Sequence, residues 1–239
     1  MPAVRTLAAS LLLLSAALPP GAAAAAENPD PLALYGPRMQ FDVVRDGAVI
    51  GRHDVTFTTE GDALVAEARS EMTVTLLGIP VYRFTYASRD VWRDGRLTGL
   101  TATTDDDGDR AQVIATRAGD TLLVDGPQGR LELPGAVFPT NHWNAAARGT
   151  GQVLNTITGG LNAVTMTDAG REVVQTRQGP VEATLWTYRG ELTADVWYDD
   201  AGRWVGLRFP ARDGSTITYV CRVCGLDGGG GQLARDGQS

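Results

Sequence analysis

Few residues of this protein can do chemistry. Its 239 residues include two histidines, His53 and His142, and two cysteines, Cys221 and Cys224, and all 21 basic side chains are arginines. Without lysine there is no Schiff-base chemistry and no P-loop lysine to reach a nucleotide's phosphates. Two histidines and two cysteines cannot build a three-histidine zinc centre or a zinc finger within one chain, so the sequence points to no metal site and no cofactor. The serines beyond the N-terminal region are Ser70, Ser88, Ser215 and Ser239, and none lies in a G-x-S-x-G elbow. No catalytic residue can be nominated. Many carboxylates are present, but no pair stands out as the acid and base of a glycoside hydrolase. A net charge of -7 and the lack of a basic stripe exclude a general nucleic-acid binder.

What remains is a cysteine pair and a set of rings. Cys221-x-x-Cys224 follows a strand-like run, Thr216 to Val220, and precedes a glycine-rich tail, so the strand-helix setting of a redox motif is missing. A structural disulfide is the expectation, and because residues three apart on a straight strand face opposite ways, the chain must turn there. His53 is in phase with Val49, Val55 and Phe57, which sets it on an apolar face. It is either a satisfied core histidine or a polar group in a ligand cavity. Tyr82, Phe84 and Tyr86 share one face with Trp92. Trp143, between His142 and Asn144, reads first as an anchor that buries a large ring. His53, Tyr82, Phe84, Tyr86 and Trp143 are therefore the ligand-binding candidates. The run Asp105-Asp106-Asp107-Gly108-Asp109 resembles part of a calcium loop, but Thr116 stands where the twelfth-position glutamate belongs, leaving a hairpin turn as the plain reading.

The elements that hold these groups are strands. From Leu64 to Leu76 the apolar residues alternate with Glu67, Arg69, Glu71, Thr73 and Thr75, the pattern of a half-buried antiparallel strand. Turn signals recur at short intervals, among them Asp46-Gly47, Asp94-Gly95, Gly119-Asp120 and Asp213-Gly214. They predict a mainly β fold of about 11–13 strands in antiparallel meander order, curved into an open half-barrel or barrel. One short helix is expected, from an N-cap at Thr140 through Ala145–Ala147 to Gly149. The hairpin around Asp90-Val91-Trp92 matches the one around Asp195-Val196-Trp197, through either duplicated halves or recurrent hairpin chemistry.

At the N-terminus, Arg5, the apolar run Leu7–Leu18 and the small residues to Ala26 read as a signal peptide cleaved near Ala26. The run is too short for a transmembrane span. The expected organisation is a signal peptide over 1–26, a lead-in over 27–38, a single antiparallel β domain over 39–224 and a flexible glycine-rich tail over 225–239. The expected location is periplasmic or secreted.

Three stretches carry a resemblance: Phe41–Gly47 with Ile50-Gly51, Val91–Leu97, and Val196–Asp199 through Asp213–Tyr219. They resemble an uncharacterised family of exported bacterial proteins, a domain of unknown function. More distantly, they resemble lipoprotein carriers, whose curved antiparallel half-barrels hold lipid on a concave apolar face under short helices. The cysteine pair and its glycine tail depart from the family pattern. The resemblance implies no catalytic residue. Together with the aromatic row and His53, it points to a periplasmic protein binding a hydrophobic small molecule or lipid, rather than to an enzyme. The alternatives are a non-catalytic structural or interaction module of the cell envelope and a carboxylate-dependent envelope enzyme. Neither a nucleic acid nor a defined protein partner is implied.

Overall fold

The structure, a computed structural model, describes residues 30–225. The expected signal peptide and all of the expected tail except Gly225 lie outside the described residues. The chain folds as fourteen strands: β1 (Arg38–Arg45), β2 (Ala48–Glu60), β3 (Ala63–Leu76), β4 (Ile79–Arg93), β5 (Arg96–Asp106), β6 (Asp109–Ala118), β7 (Thr121–Gly126), β8 (Gly129–Pro134), β9 (Gln152–Leu154), β10 (Leu161–Thr176), β11 (Gly179–Gly190), β12 (Ala194–Tyr198), β13 (Trp204–Pro210) and β14 (Thr216–Val223). All belong to one antiparallel sheet. The first and last strands pair at its middle, so it runs from β8 down to β1 and then from β14 down to β9. The sheet is not closed by a β8–β9 ladder, and it has the expected half-barrel form with one strand more than the turn signals counted. Its two ends nevertheless approach at one rim. The Gln128 N–H donates to the Thr158 carbonyl at 3.0 Å, and a side chain on Gly126 would come within 3.1 Å of Gly159.

Short-range chemistry explains the meander. Four hairpins turn through two successive residues with positive φ: Asp46-Gly47, Leu77-Gly78, Asp94-Gly95 and Asp107-Gly108. Asp and Gly tolerate that geometry, and it matches the twist of the flanking strands. The acidic run Asp105–Asp109 forms the β5–β6 turn, with Asp105 accepting from the Gly108 N–H at 2.8 Å and from Arg110 at 2.9 Å.

The concave face holds the main core, including Met39, Phe41, Val55, Phe57, Ala68, Trp92, Leu122 and Trp204. Helix α1 (Pro31–Tyr35) closes one end. It lies in the stretch expected as a lead-in, where Asp30 caps it by accepting from the Leu32 N–H at 3.0 Å and Pro31 supplies a preset φ at its start. The helix expected from Thr140 to Gly149 shrinks to one 3-10 turn, Ala145–Ala147. The backbone before it is engaged elsewhere: the His142 carbonyl accepts from the Tyr198 hydroxyl at 2.9 Å, the Trp143 carbonyl from the Tyr35 hydroxyl at 2.8 Å, and Pro139 bridges to Leu154. Those contacts hold residues 139–143 in a non-helical path.

The convex face carries a smaller core of Ala183, Trp197 and Val205. The irregularity between Asp168 and Arg171 lets the far part of the β10–β11 hairpin cross behind β13 and β14. There the Arg177 N–H donates to the Cys221 carbonyl at 2.8 Å, and Arg177 and Arg222 both donate to the buried Asp42 carboxylate. Burial would raise the Asp42 pKa, but the hydrogen bonds from Arg222 and Arg177 outweigh it and hold the carboxyl below its ordinary value. The two similar hairpins prove opposite in orientation. Trp92 packs in the concave core and Trp197 in the convex one, so the matched residues face opposite sides of the sheet.

Cys221 and Cys224 are bonded and fully buried. The chain bends at Cys224-Gly225 immediately after β14, as the bridge requires. That bend sits against α1, because a side chain on Gly225 would lie 2.5 Å from the Leu34 carbonyl oxygen, and the Gly225 carbonyl accepts from Arg203.

Candidate functional site

Between β8 and β10 the chain, apart from the short edge strand β9, leaves the sheet and lies over its concave face. The plug formed by residues 135–160 is anchored by the β9–β10 ladder and by side-chain hydrogen bonds to the sheet rather than by helix packing. Asn141 donates to Asp90, and the Tyr86 hydroxyl donates to Thr156 Oγ1 at 2.9 Å. Tyr35 sits under the plug at a junction. Besides donating to Trp143, its hydroxyl accepts the Trp204 N–H at 2.9 Å, and its ring stacks on Phe57. Trp143 packs edge-on against Phe57 and Trp92.

Plug and sheet leave a cavity of about 130 Å³ between them. Its sheet wall is built from His53, Ala68, Ser70, Phe84, Tyr86, Trp204, Leu207 and Tyr219, and its plug wall from Thr140–Trp143, Thr156 and Ile157. Four of the five candidates read from the sequence, His53, Phe84, Tyr86 and Trp143, thus meet at one place. Tyr82 does not line the cavity. It points to the same side of β4 nearer the hairpin tip, where its hydroxyl donates to Asp106 at 2.7 Å.

The polar groups of the cavity are neutral ones. Burial pushes His53 down to about 3, helped by the nearby His142, and burial alone pushes His142 down to about 4. His53 Nδ1 lies 2.6 Å from Ser70 Oγ, and its ring is surrounded by Phe41, Trp204 and Tyr219. Below the plug, burial pushes Asp90 up to about 7 against the lowering effect of Asn141 and Ser88. A serine next to a histidine suggests acyl transfer, but the mechanism needs a carboxylate to orient the far ring nitrogen. Among the described residues neither imidazole has a carboxylate hydrogen-bond partner, and Asp90 is committed to Asn141. The arrangement is suited to hydrogen-bonding a small polar group inside an otherwise apolar wall.

Reasoning from the sequence missed Ser70, His142, Tyr219 and Trp204. Ser70 carried a usable signal, a lone hydroxyl in phase with Ala68 and Met72 on the apolar face of β3. Its pairing opposite His53 depends on the β2–β3 register, which alternation does not fix. Tyr219 and Trp204 reach the cavity only because β1 pairs with β14, a contact spanning the whole chain.

No curated protein matches the sequence. Among solved structures, the chain is similar to a beta-barrel-like protein of domain of unknown function DUF1849 from Brucella abortus. The TM-score is 0.54 at 14% identity, covering 77% of this chain and 94% of that one, a likeness of fold alone. Residues 41–222 match the family described as domain of unknown function DUF6134, and the chain belongs to that family.

Proposed function

We propose that the protein is exported, to the periplasm or beyond, and binds a hydrophobic or lipid-like ligand between its curved sheet and its plug. The observation that carries this reading is the cavity itself, walled by aromatic and aliphatic side chains, with neutral hydroxyl and imidazole groups set among them. Such a lining favours an apolar body with one hydrogen-bonding end and disfavours a charged ligand, which would lose its hydration without an opposite charge to meet it.

The size of the cavity narrows the ligand. At about 130 Å³ it is smaller than the ~300 Å³ at which pockets for drug-sized molecules begin, and close to the roughly 150 Å³ of an engineered cavity that takes up benzene. It accommodates a ring or the end of a short chain, and the rest of a longer ligand lies along the mouth beside Phe84 and Ile157. A non-catalytic envelope module is the second reading, favoured by how completely the plug fills the rest of the concave face with Trp143.

Native mass spectrometry of protein from the exported fraction, with lipid extraction and re-incubation with fatty acid, tests the proposal. The expected result is a bound species that is lost when Ala68, buried in the cavity wall, is enlarged to Phe. An apo protein that takes up nothing, with Ala68→Phe indistinguishable from it, leaves the structural module as the reading.

A further inference from the structure

The β3–β4 hairpin is built unlike the others. Three of the four hairpins with successive positive-φ residues place Asp-Gly there, while this one places Leu77 at φ 51 before Gly78. A leucine in that region is strained, where Asn, Asp or Gly would be accommodated. It gains nothing from packing, being 95% exposed. Beside it Leu76 is 63%, Ile79 65% and Val81 50% exposed. Neither the turn geometry nor packing accounts for an apolar residue at this position.

The hairpin also projects. Pairing of β3 with β2 ends at Met72, and pairing of β4 with β5 ends at Phe84, so residues 73–82 pair only with each other. At ~3.3 Å per residue the tip stands about 15 Å beyond the last of those ladder pairs, with the Tyr82 hydroxyl at its base reaching back to Asp106 of β5. From Met72 to Tyr82 there is no charged residue, and one charge of each sign, Glu71 and Arg83, flanks the stretch.

We propose that this hairpin tip inserts into the surface of a lipid bilayer with net-neutral headgroups. The exposed apolar side chains amount to roughly 500 Å², within the range of functional patches but below the ~800 Å² per partner that a stable protein interface buries. The tip is convex, so a protein partner would need a matching pocket, whereas a bilayer receives apolar side chains from every side. Flanking charges that cancel suit zwitterionic headgroups and give no pull towards anionic ones. The inference goes beyond the ligand reading and does not depend on it. The two are linked in space, because Val74, Met72 and Phe84 continue the inner face of the hairpin from Leu76 and Ile79 to the cavity.

Flotation with phosphatidylcholine vesicles tests the proposal, comparing the same purified form of wild type, Leu77→Asn and Ile79→Thr. The wild type is expected to float, with little change between low and high salt or on adding anionic lipid. Leu77→Asn is expected to lower the partition coefficient about tenfold or more while holding or raising the melting temperature, since Asn relieves the strain. Ile79→Thr, on an ordinary strand position, lowers partition without touching the turn. Ala68→Phe, with its cavity filled, floats like the wild type, which separates this proposal from the ligand reading. Wild type that stays with the unbound fraction, or variants that float equally well, overturns the proposal. A wild-type dimer that Leu77→Asn converts to monomer overturns it in favour of self-association.

Discussion

Ser70 Oγ lies 2.6 Å from His53 Nδ1. The register that places Ser70 opposite His53 also buries them together against Trp204 and Tyr219, where burial keeps the imidazole uncharged and the hydroxyl gives its Nδ1 a hydrogen-bond partner.

That burial predicts an unusual pH profile of stability. His53 and His142 are held at about 3 and 4 when folded, below the 6.5 of an unfolded histidine, so their contribution is full above pH 6.5 and is lost as the pH falls towards 4. Asp90 has the opposite sign. Its folded pKa is about 7 against 3.8, so its contribution is present in acid and fades as the pH rises towards 7. Between pH 4.5 and 6 the unfolded chain gains up to two protons while the folded one keeps one, giving a net rise of about 1.4 kcal/mol per pH unit. Asp90→Asn removes the opposing group and should steepen that slope to nearly twice the value in urea unfolding across this window. An unchanged slope would mean that Asp90 is ionised in the fold.

How far these features could be read from the sequence depended on the distance over which each is decided. Alternation is local, so the inward face of β3 and of the Phe84–Tyr86 row could be read directly. Phase fails where pairing slips. Val49, in step with His53, is exposed because the β1–β2 register shifts between Val43 and Val44. Leu76, in step with Ala66 and Ala68, is exposed because its strand outruns the sheet. The Thr140 helix failed for a different reason, since its carbonyls were claimed by Tyr35 and Tyr198, one distant in sequence on either side. Whatever depended on the β1–β14 closure, including the Trp204 and Tyr219 side of the cavity, had no local signature.

Tyr35→Phe should show how the plug is held. The change keeps the ring on Phe57 but leaves the Trp143 carbonyl and the Trp204 N–H without their buried partner, at a cost of about 1–3 kcal/mol. Hydrogen exchange should rise selectively in residues 135–160. A loss of stability spread evenly over the sheet, without that local signal, would show that the plug does not depend on this junction.

The Cys221–Cys224 bridge closes a very small loop, so its restriction of the unfolded chain is modest, about 2 kcal/mol on the chain-entropy relation. Its position beneath α1 adds a local role. The double variant Cys221→Ala and Cys224→Ala should lose about that much stability, with a urea m-value unchanged and with faster exchange at Leu32–Tyr35. A variant that fails to fold at all would assign the bridge a far larger part than its loop length allows.

Trp143 offers the sharpest test of the cavity, because it is both plug and wall. Its side chain is almost fully buried, and its indole N–H has no hydrogen-bond partner among the described residues. Trp143→Ala should therefore cost about 3–5 kcal/mol, the range for removing a large ring from a core that cannot collapse around the gap. The gap adjoins the existing space, so the variant has a larger hole of the same apolar character. Added indole should refill it and raise the melting temperature with concentration as a ligand specific to the folded state does, the stabilisation reaching about 2.7 kcal/mol at a hundredfold excess over Kd. Wild type, in which Trp143 fills that gap and leaves only the smaller cavity of about 130 Å³, should show a much smaller rise. If indole stabilises neither protein, the plug has collapsed onto the sheet in the variant, and the concave face is then a deformable core rather than a site that holds its shape around a guest.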